Sequence, residues 1–166
     1  IKAEYLVEIA KITAEKKVKL VIDSSSKVVL DTLEYQPYLL KPNDQELASF
    51  FDLNEKLDQK KIIELARKLI SAGCQNVLVS LGENGAALIN KDHAYFGNAP
   101  KIQALNTAGA GDTMLGTFIG EKEKEKSDTA ALKSAIAAGS DTASRSELTD
   151  FKLEKYLNEI QVSEIK

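Results

Sequence analysis

"LNTAGAGDTMLG", residues 105–116, decides how the rest of the chain is read. Gly109, Ala110 and Gly111 lead straight into Asp112, and small and apolar residues then recur at helical spacing. Gly-Ala-Gly at the mouth of a helix leaves several backbone N–H groups without intrahelical acceptors. With the helix dipole, they form a site for an anion. A carboxylate in the same place repels that anion unless it faces a different atom, such as a hydroxyl that must lose its proton. Phosphoryl transfer divides the labour in this way: backbone donors hold the charged oxygens and a carboxylate positions the attacking hydroxyl. The plainer reading is a close helix–strand contact, with Asp112 stabilising a helix N-terminus. The stretch alone does not choose between them.

Around it, strands and helices alternate. Residues 2–16 carry Tyr5, Leu6, Ile9, Ala10 and Ile12 or Thr13 on one helical face. "VKLVID", 18–23, is a short β-branched run that reads as a buried strand. Ser26 can cap a short helix through Leu33. "PYLLKPN", 37–43, reads as a second strand, ended by Pro42. Helices follow at Asn43–Phe51 and Asn54–Ser71, the second burying Ile62, Ile63, Ala66, Leu69 and Ile70 before a stop at Gly73. "NVLVSLG", 76–82, is the next strand, and "GAALIN" and "HAYFGN" form an antiparallel pair around the turn Asn90–Asp92. "KIQAL", 101–105, is a further strand, with helices at 109–121, 128–139 and 150–160. The charge run "EKEKEK", 121–126, is a solvated helix end or loop. The fold class is therefore α/β: a layered, mostly parallel sheet with an antiparallel edge pair, flanked by helices. In such sheets ligands sit outside the carboxyl ends of the strands.

Composition narrows the function. A chain of 166 residues, 43% hydrophobic and 28% charged, can build a real core and is not of disordered type. A net charge of -3 gives no polyanion-binding surface, so no nucleic-acid partner is expected. Cys74 is alone, which excludes an internal disulfide and fits a reducing cytoplasm. No apolar run is long enough to cross a bilayer, so no membrane partner is expected. The sequence starts at Ile1 and its one methionine is Met114, so a longer protein is expected.

Three loops follow three of the predicted strands. In "KPNDQEL", Asn43 and Glu46 fit a capping box. Their oxygens also suit Mg²⁺ beside a phosphate, directly or through water, and one pair can do both. In "SLGENGA", Asn84-Gly85 is a hairpin signal. Alternatively, Gly82 and Gly85 let a nucleotide approach the backbone and Ser80 supplies a hydroxyl. The third loop is the opening one. Together they place free N–H groups, a metal-compatible acid and one candidate base at strand ends. That is the equipment of a kinase without a Walker loop, since no G-x-x-x-x-G-K-[ST] occurs.

"NTAGAGDTMLG" resembles the second signature of the ribokinase-like, or phosphofructokinase B, carbohydrate kinases. "KPNDQEL" and "VSLGENGAAL", in that order, look like the branch containing 1-phosphofructokinase and tagatose-6-phosphate kinase. The resemblance runs from "VKLVID" to "AIAAGSDTAS". It implies a ribokinase-like fold in which residues 1–166 are the C-terminal, nucleotide-binding portion and the amino-terminal half with its β lid is missing. It implies ATP and Mg²⁺ as cofactors and a sugar phosphate as substrate, fructose 1-phosphate first. A homodimer would form through the lid. Asp112 matches the catalytic base, and Gly109, Ala110 and Gly111 the anion hole. Asn43 and Glu46 match the metal-linked N-x-x-E motif. Ser80, Leu81, Gly82, Glu83, Asn84 and Gly85 match a nucleotide-contacting segment, and Ala138, Gly139 and Ser140 the adenine pocket.

Some positions depart from the pattern. Thr117 replaces an Ala or Gly, "SSS" at 24–26 replaces Thr-Ser-Gly, and "DTASRSEL" lacks the usual Pro and Gly, which leaves any monovalent-cation site unassigned. His93 sits in a turn, Cys74 is read as packing, and Lys41 as a strand-end lysine in solvent. With the sugar side upstream, the chain by itself is expected to show negligible turnover. The rival reading from another class is a nucleotide-binding or assembly module that does no chemistry.

Overall fold

The alternation of short apolar runs with amphipathic ones becomes an alternation of strands and helices, which the computed structural model describes over residues 3–165. In chain order these are α1 (Ala3–Glu15), β1 (Val21–Ile22), a 3-10 helix (Lys27–Tyr35), β2 (Leu39–Leu40), α2 (Asp44–Phe50), α3 (Gln59–Ser71) and β3 (Asn76–Ser80). A 3-10 turn (Gly82–Asn84), β4 (Ala86–Asn90), β5 (Ala94–Gly97), α4 (Ala110–Glu123), α5 (Asp128–Ala143), α6 (Glu154–Leu157) and β6 (Val162–Glu164) complete the chain. The strands form a mixed six-stranded sheet in the order β1 to β6. Neighbours β1–β2 and β2–β3 are parallel, and β5–β6 is antiparallel. Lys2, read above as the start of the first helix, lies outside the described residues. The chain resolves into two compact units, residues 1–80 with 89–94, and residues 81–88 with 95–166.

In the first unit, Leu39, Leu40, Val77, Leu78 and Val79 fill the strands and are buried. Helix α3 buries Ile62, Leu65, Ala66 and Leu69, a stripe at i, i+3, i+4 and i+7. The stripe is rotated from the expected one, for Ile63 and Ile70 are only half-buried. The helix also starts at Gln59 rather than near Asn54. The Asp58 side chain accepts from the Lys61 amide at 2.7 Å, which satisfies a first-turn donor and fixes the start there. Ser26 caps the next segment as read, accepting from the Val28 amide, but 27–35 is a 3-10 helix. Its buried Val29 and Thr32 lie three apart, and the Thr32 hydroxyl donates to the Val29 carbonyl at 2.6 Å.

In the second unit, α4 packs along α5. Helix α5 is buried continuously from Ala135 to Ala143, so small side chains there bring the two helices close. Two expectations fail in this unit. "KIQAL" is not a strand: residues 101–108 are irregular, Leu105 is 67% exposed, and the Leu105 and Asn106 amides donate to the Ala143 carbonyl at the end of α5. The predicted helix 150–160 shrinks to Glu154–Leu157, with Phe151 in the left-handed region (φ 60) just ahead of it. The chain after it supplies β6, which pairs Tyr95 with Glu164, Phe96 with Ser163 and Gly97 with Val162.

Thr117, where the resembled pattern has Ala or Gly, has a buried hydroxyl without a hydrogen-bond partner among the described residues. An unpaired buried hydroxyl destabilises, and replacing it with a methyl of the same shape removes that cost. Thr117→Val is therefore expected to hold or raise stability by up to about 1 kcal/mol. Urea unfolding followed by circular dichroism reads the change, and a loss of stability would show that the hydroxyl is satisfied.

Candidate functional site

The parallel register of the first unit brings two of the three loops together. Leu39 pairs with Asn76 and Leu40 with Val77, and the same offset continues to an isolated bridge between Asn43 and Ser80. The Ser80 amide donates to the Pro42 carbonyl at 3.0 Å. Asn43 and Ser80 thus stand side by side past the strand ends. Asn43 caps α2 in a complete capping box. Its Oδ1 accepts from the Glu46 amide at 2.7 Å, and its own amide donates to Glu46 Oε2 at 2.8 Å. The box fixes both side chains, and among the described residues nothing donates to Glu46 Oε1. Among the described residues no group of three or more His, Cys, Asp or Glu side chains could hold a metal. The donors present fit an ion kept largely by water and phosphate oxygens with one carboxylate, the habit of Mg²⁺, and do not fit an all-protein cage.

Lys41 departs from expectation. It was read as a lysine in solvent, yet it is 7% exposed. Its ammonium is paired with Asp23 at 2.9 Å. The pairing follows from register: Ile22 is opposite Leu40, so Asp23 and Lys41 are the next residues of adjacent parallel strands. A buried charge needs such a partner.

The second unit holds the rest. After Leu81, whose amide donates to the Gly85 carbonyl, Gly82, Glu83 and Asn84 form an exposed 3-10 turn. Gly85 is buried with φ 97, and a Cβ there would lie 2.0 Å from the Gly97 carbonyl oxygen, so only glycine fits. Gly109 caps α4 in the left-handed conformation (φ 78) without a side-chain cap. Ala110 donates its amide to the Thr107 carbonyl at 3.2 Å, which takes one of the three expected donors into a turn. Among the described residues, no protein group accepts from the Gly109, Gly111 or Asp112 amides. Asp112 is exposed on the first turn, and among the described residues nothing donates to its carboxylate.

Counting from Gly109 as N-cap, Asp112 is the third helical residue, the position from which Glu46 reaches back to cap α2. Glu46 is spent on its cap and Asp112 is not. Ala138 is fully buried and presents no wall to a ligand. A Cβ on Gly139 would come within 3.1 Å of the Ala110 carbonyl oxygen, so this glycine lets α5 approach the first turn of α4. Ser140 is also buried. The Cys74 thiol donates to the Asn76 carbonyl and is pushed up to about 12 by burial, so it is inert packing.

A mixed six-stranded sheet flanked by helices puts the chain in the class of layered α/β proteins. The comparisons specify it: the chain belongs to the pfkB family carbohydrate kinases, which it matches over residues 1–155. It is 42% identical to a D-tagatose-1-phosphate kinase of Bacillus licheniformis over 95% of this chain and 52% of that protein. It is 36% identical to a 1-phosphofructokinase of Borreliella burgdorferi over 89% of this chain and 48% of that one. Among solved structures, Arabidopsis thaliana ribokinase complexed with ribose and ATP is 25% identical with a TM-score of 0.82, over 95% of this chain and 53% of that one. A Staphylococcus aureus protein described provisionally as a phosphofructokinase is 30% identical with a TM-score of 0.93, over 100% of this chain and 54% of that one. The chain thus spans about half the length of the relatives it matches.

Next to this segment, sequence reading passed over a charge network around Asp141. Its carboxylate accepts from Thr149 Oγ1 at 2.7 Å and Arg145 at 3.0 Å, and Arg145 also pairs with Asp150 at 2.7 Å. Burial pushes Asp141 up, but hydrogen bonds from Thr149, Arg145 and Tyr156 outweigh it and hold the carboxyl below its ordinary value. Arg145 and then Lys152 hold Asp150 well below the usual range. Carboxyls lowered by folding contribute stability that is present above their unfolded values, about 3.9, and lost as pH falls through the folded ones. Urea midpoints should therefore drop as pH falls below about 4, and Arg145→Met should lower the midpoint at pH 7 and make that acid limb shallower. An unchanged limb in the variant would remove Arg145 from the network's energetics.

Proposed function

We propose that this chain is the nucleotide-handling portion of an ATP- and Mg²⁺-dependent kinase that phosphorylates a ketohexose 1-phosphate. The observation that carries the reading is the first turn of α4, where Gly109, Gly111 and Asp112 present amides with no acceptor among the described residues and Asp112 a carboxylate with no donor among them. The amides would hold the oxygens of the transferring phosphoryl group, and Asp112 would take the proton of the acceptor hydroxyl. Asn43 and Glu46 would hold Mg²⁺ mainly through water, and Ser80 to Gly85 would meet the nucleotide. Magnesium would supply charge neutralisation on the phosphates.

Fructose 1-phosphate is the leading acceptor, in keeping with the 1-phosphofructokinase relatives. Tagatose 1-phosphate is the second reading, favoured by the 42% identity to the Bacillus licheniformis enzyme. That relative is named for tagatose 1-phosphate, whereas the alternative drawn from the sequence resemblance was tagatose 6-phosphate. Fructose and tagatose differ in configuration at one carbon, so a single acceptor class covers both. A cytoplasmic location and a homodimer of the whole protein belong to the same proposal. Among the described residues no helix is long and apolar enough to cross a bilayer.

Asp112→Asn, made in a protein that joins this chain to the remaining half of the relatives' length, tests the mechanism. Turnover on fructose 1-phosphate should fall by roughly 10²–10⁴-fold, the usual contribution of a general base, while ATP affinity holds. Unchanged phosphorylation would remove Asp112 from the chemistry and leave the nucleotide-binding module as the better reading.

A further inference from the structure

The last turn of α5 does more than pack. Consecutive residues there bind the chain on both sides of the segment that carries Gly109, Gly111 and Asp112. Ahead of it, the Ala143 carbonyl accepts from the Leu105 and Asn106 amides at 2.8 and 3.2 Å. Just after it, the Thr142 hydroxyl donates to Thr113 Oγ1 at 3.2 Å. Thr142 Oγ1 also accepts from the Thr149 amide at 3.1 Å, and the Thr149 hydroxyl donates to Asp141 at 2.7 Å. Asp141 and Thr142 are each 2% exposed, so these bonds are largely shielded from water. A helical threonine ordinarily turns its hydroxyl to a carbonyl three or four residues back in its own helix. Thr142 turns its proton to another helix, 29 positions away. The turn it reaches needs holding, because Gly109 gives α4 no side-chain cap and helix ends fray.

We propose that Thr142 is a positioning residue that fixes the first turn of α4 and so keeps the Asp112 carboxylate in one place. The proposal rests on the kinase reading above for the reaction. Thr142 acts through Thr113, the residue after Asp112, and not on a reactant. Rotation or fraying of that turn would swing a carboxylate that has no protein donor of its own among the described residues. A general base must stay within hydrogen-bond reach of the proton it takes, and a misplacement of about 1 Å can cost about 10²-fold in rate. The Ala143 carbonyl holds the entry to the segment and the Thr142 hydroxyl its exit. The Thr149 amide, by occupying a lone pair on the Thr142 oxygen, directs the hydroxyl proton toward Thr113.

The test uses the protein that joins this chain to the remaining half of the relatives' length, with kcat and KM measured on fructose 1-phosphate and Mg-ATP. Thr142→Val keeps the shape and removes the hydroxyl. It should lower kcat by roughly 10–100-fold and leave KM for Mg-ATP within about two-fold, and Thr142→Ser should recover most of the loss. In an Asp112→Asn background the same substitution should cost less than about two-fold, because the group it positions is already gone. Thr113→Ala removes the bond from the half-buried side, and its kcat should fall as in Thr142→Val even where that variant fails to fold. Parental kcat in Thr113→Ala, lower stability with kcat kept in Thr142→Val, or full additivity with Asp112→Asn would each overturn the proposal. A parent that turns over, with variants that match it, sinks this inference and leaves the kinase reading standing. A parent without turnover on either ketohexose 1-phosphate sinks both.

Discussion

Parallel pairing of three short strands is the constraint on which the first unit depends. Strands β1 and β2 contribute two residues each, too few to hold a position by hydrogen bonding alone. Their register is fixed by burial: Leu39 and Leu40 are both buried, between Val21–Ile22 on one side and Asn76–Val77 on the other. A slip of one residue would carry Lys41 away from Asp23 and break the offset that sets Asn43 beside Ser80. The polar residues at the strand ends thus owe their positions to apolar residues one or two places earlier. Stability depends on register here, since Lys41 without Asp23 would be left as a buried, unpaired charge.

The second unit solves a different problem, bringing a helix start close to another helix while leaving its donors free. A side chain at the cap would satisfy an amide, as Asn43, Asp58 and Ser127 do for their helices. Gly109 cannot. The small seam of α5, with Gly139 against Ala110, stabilises the turn by packing in place of a cap. The Thr107–Ala110 bond takes one amide from the turn and closes the loop that leads into α4.

Much of this was legible in the residues, because the governing signals were local. Asn43 and Glu46 three apart specify a capping box whatever surrounds them, and apolar spacing along 59–71 specifies a helix. Gly-Ala-Gly before a helical run specifies a turn with amides left over, here at Gly109 and Gly111 and not at Ala110. What failed depended on partners distant in sequence. "KIQAL" has strand composition but no strand to pair with, and its amides at 105–106 find the end of α5. β6 has little strand composition and forms because β5 offers an edge. Lys41 looked like a solvent lysine because its partner, Asp23, is 18 positions away and becomes its neighbour only through the β1–β2 register. The family resemblance covered what locality could not, by ordering motifs that are individually weak.

The case for chemistry at α4 turns on comparing two helices with an acid at the same position. Near a helix N-terminus a carboxylate gains about 0.3–1 kcal/mol from the dipole, and a capping bond adds to that. Glu46 takes both gains. Asp112 takes only the first, since no donor among the described residues reaches its oxygens. A structural acid at that position would be expected to close a box, as Glu46 does. Gly109 is set by its own backbone, since φ 78 strains any residue with a side chain, so the turn carries no side-chain cap. The carboxylate that closes no box and the turn that takes no cap leave an acceptor and donors without protein partners among the described residues.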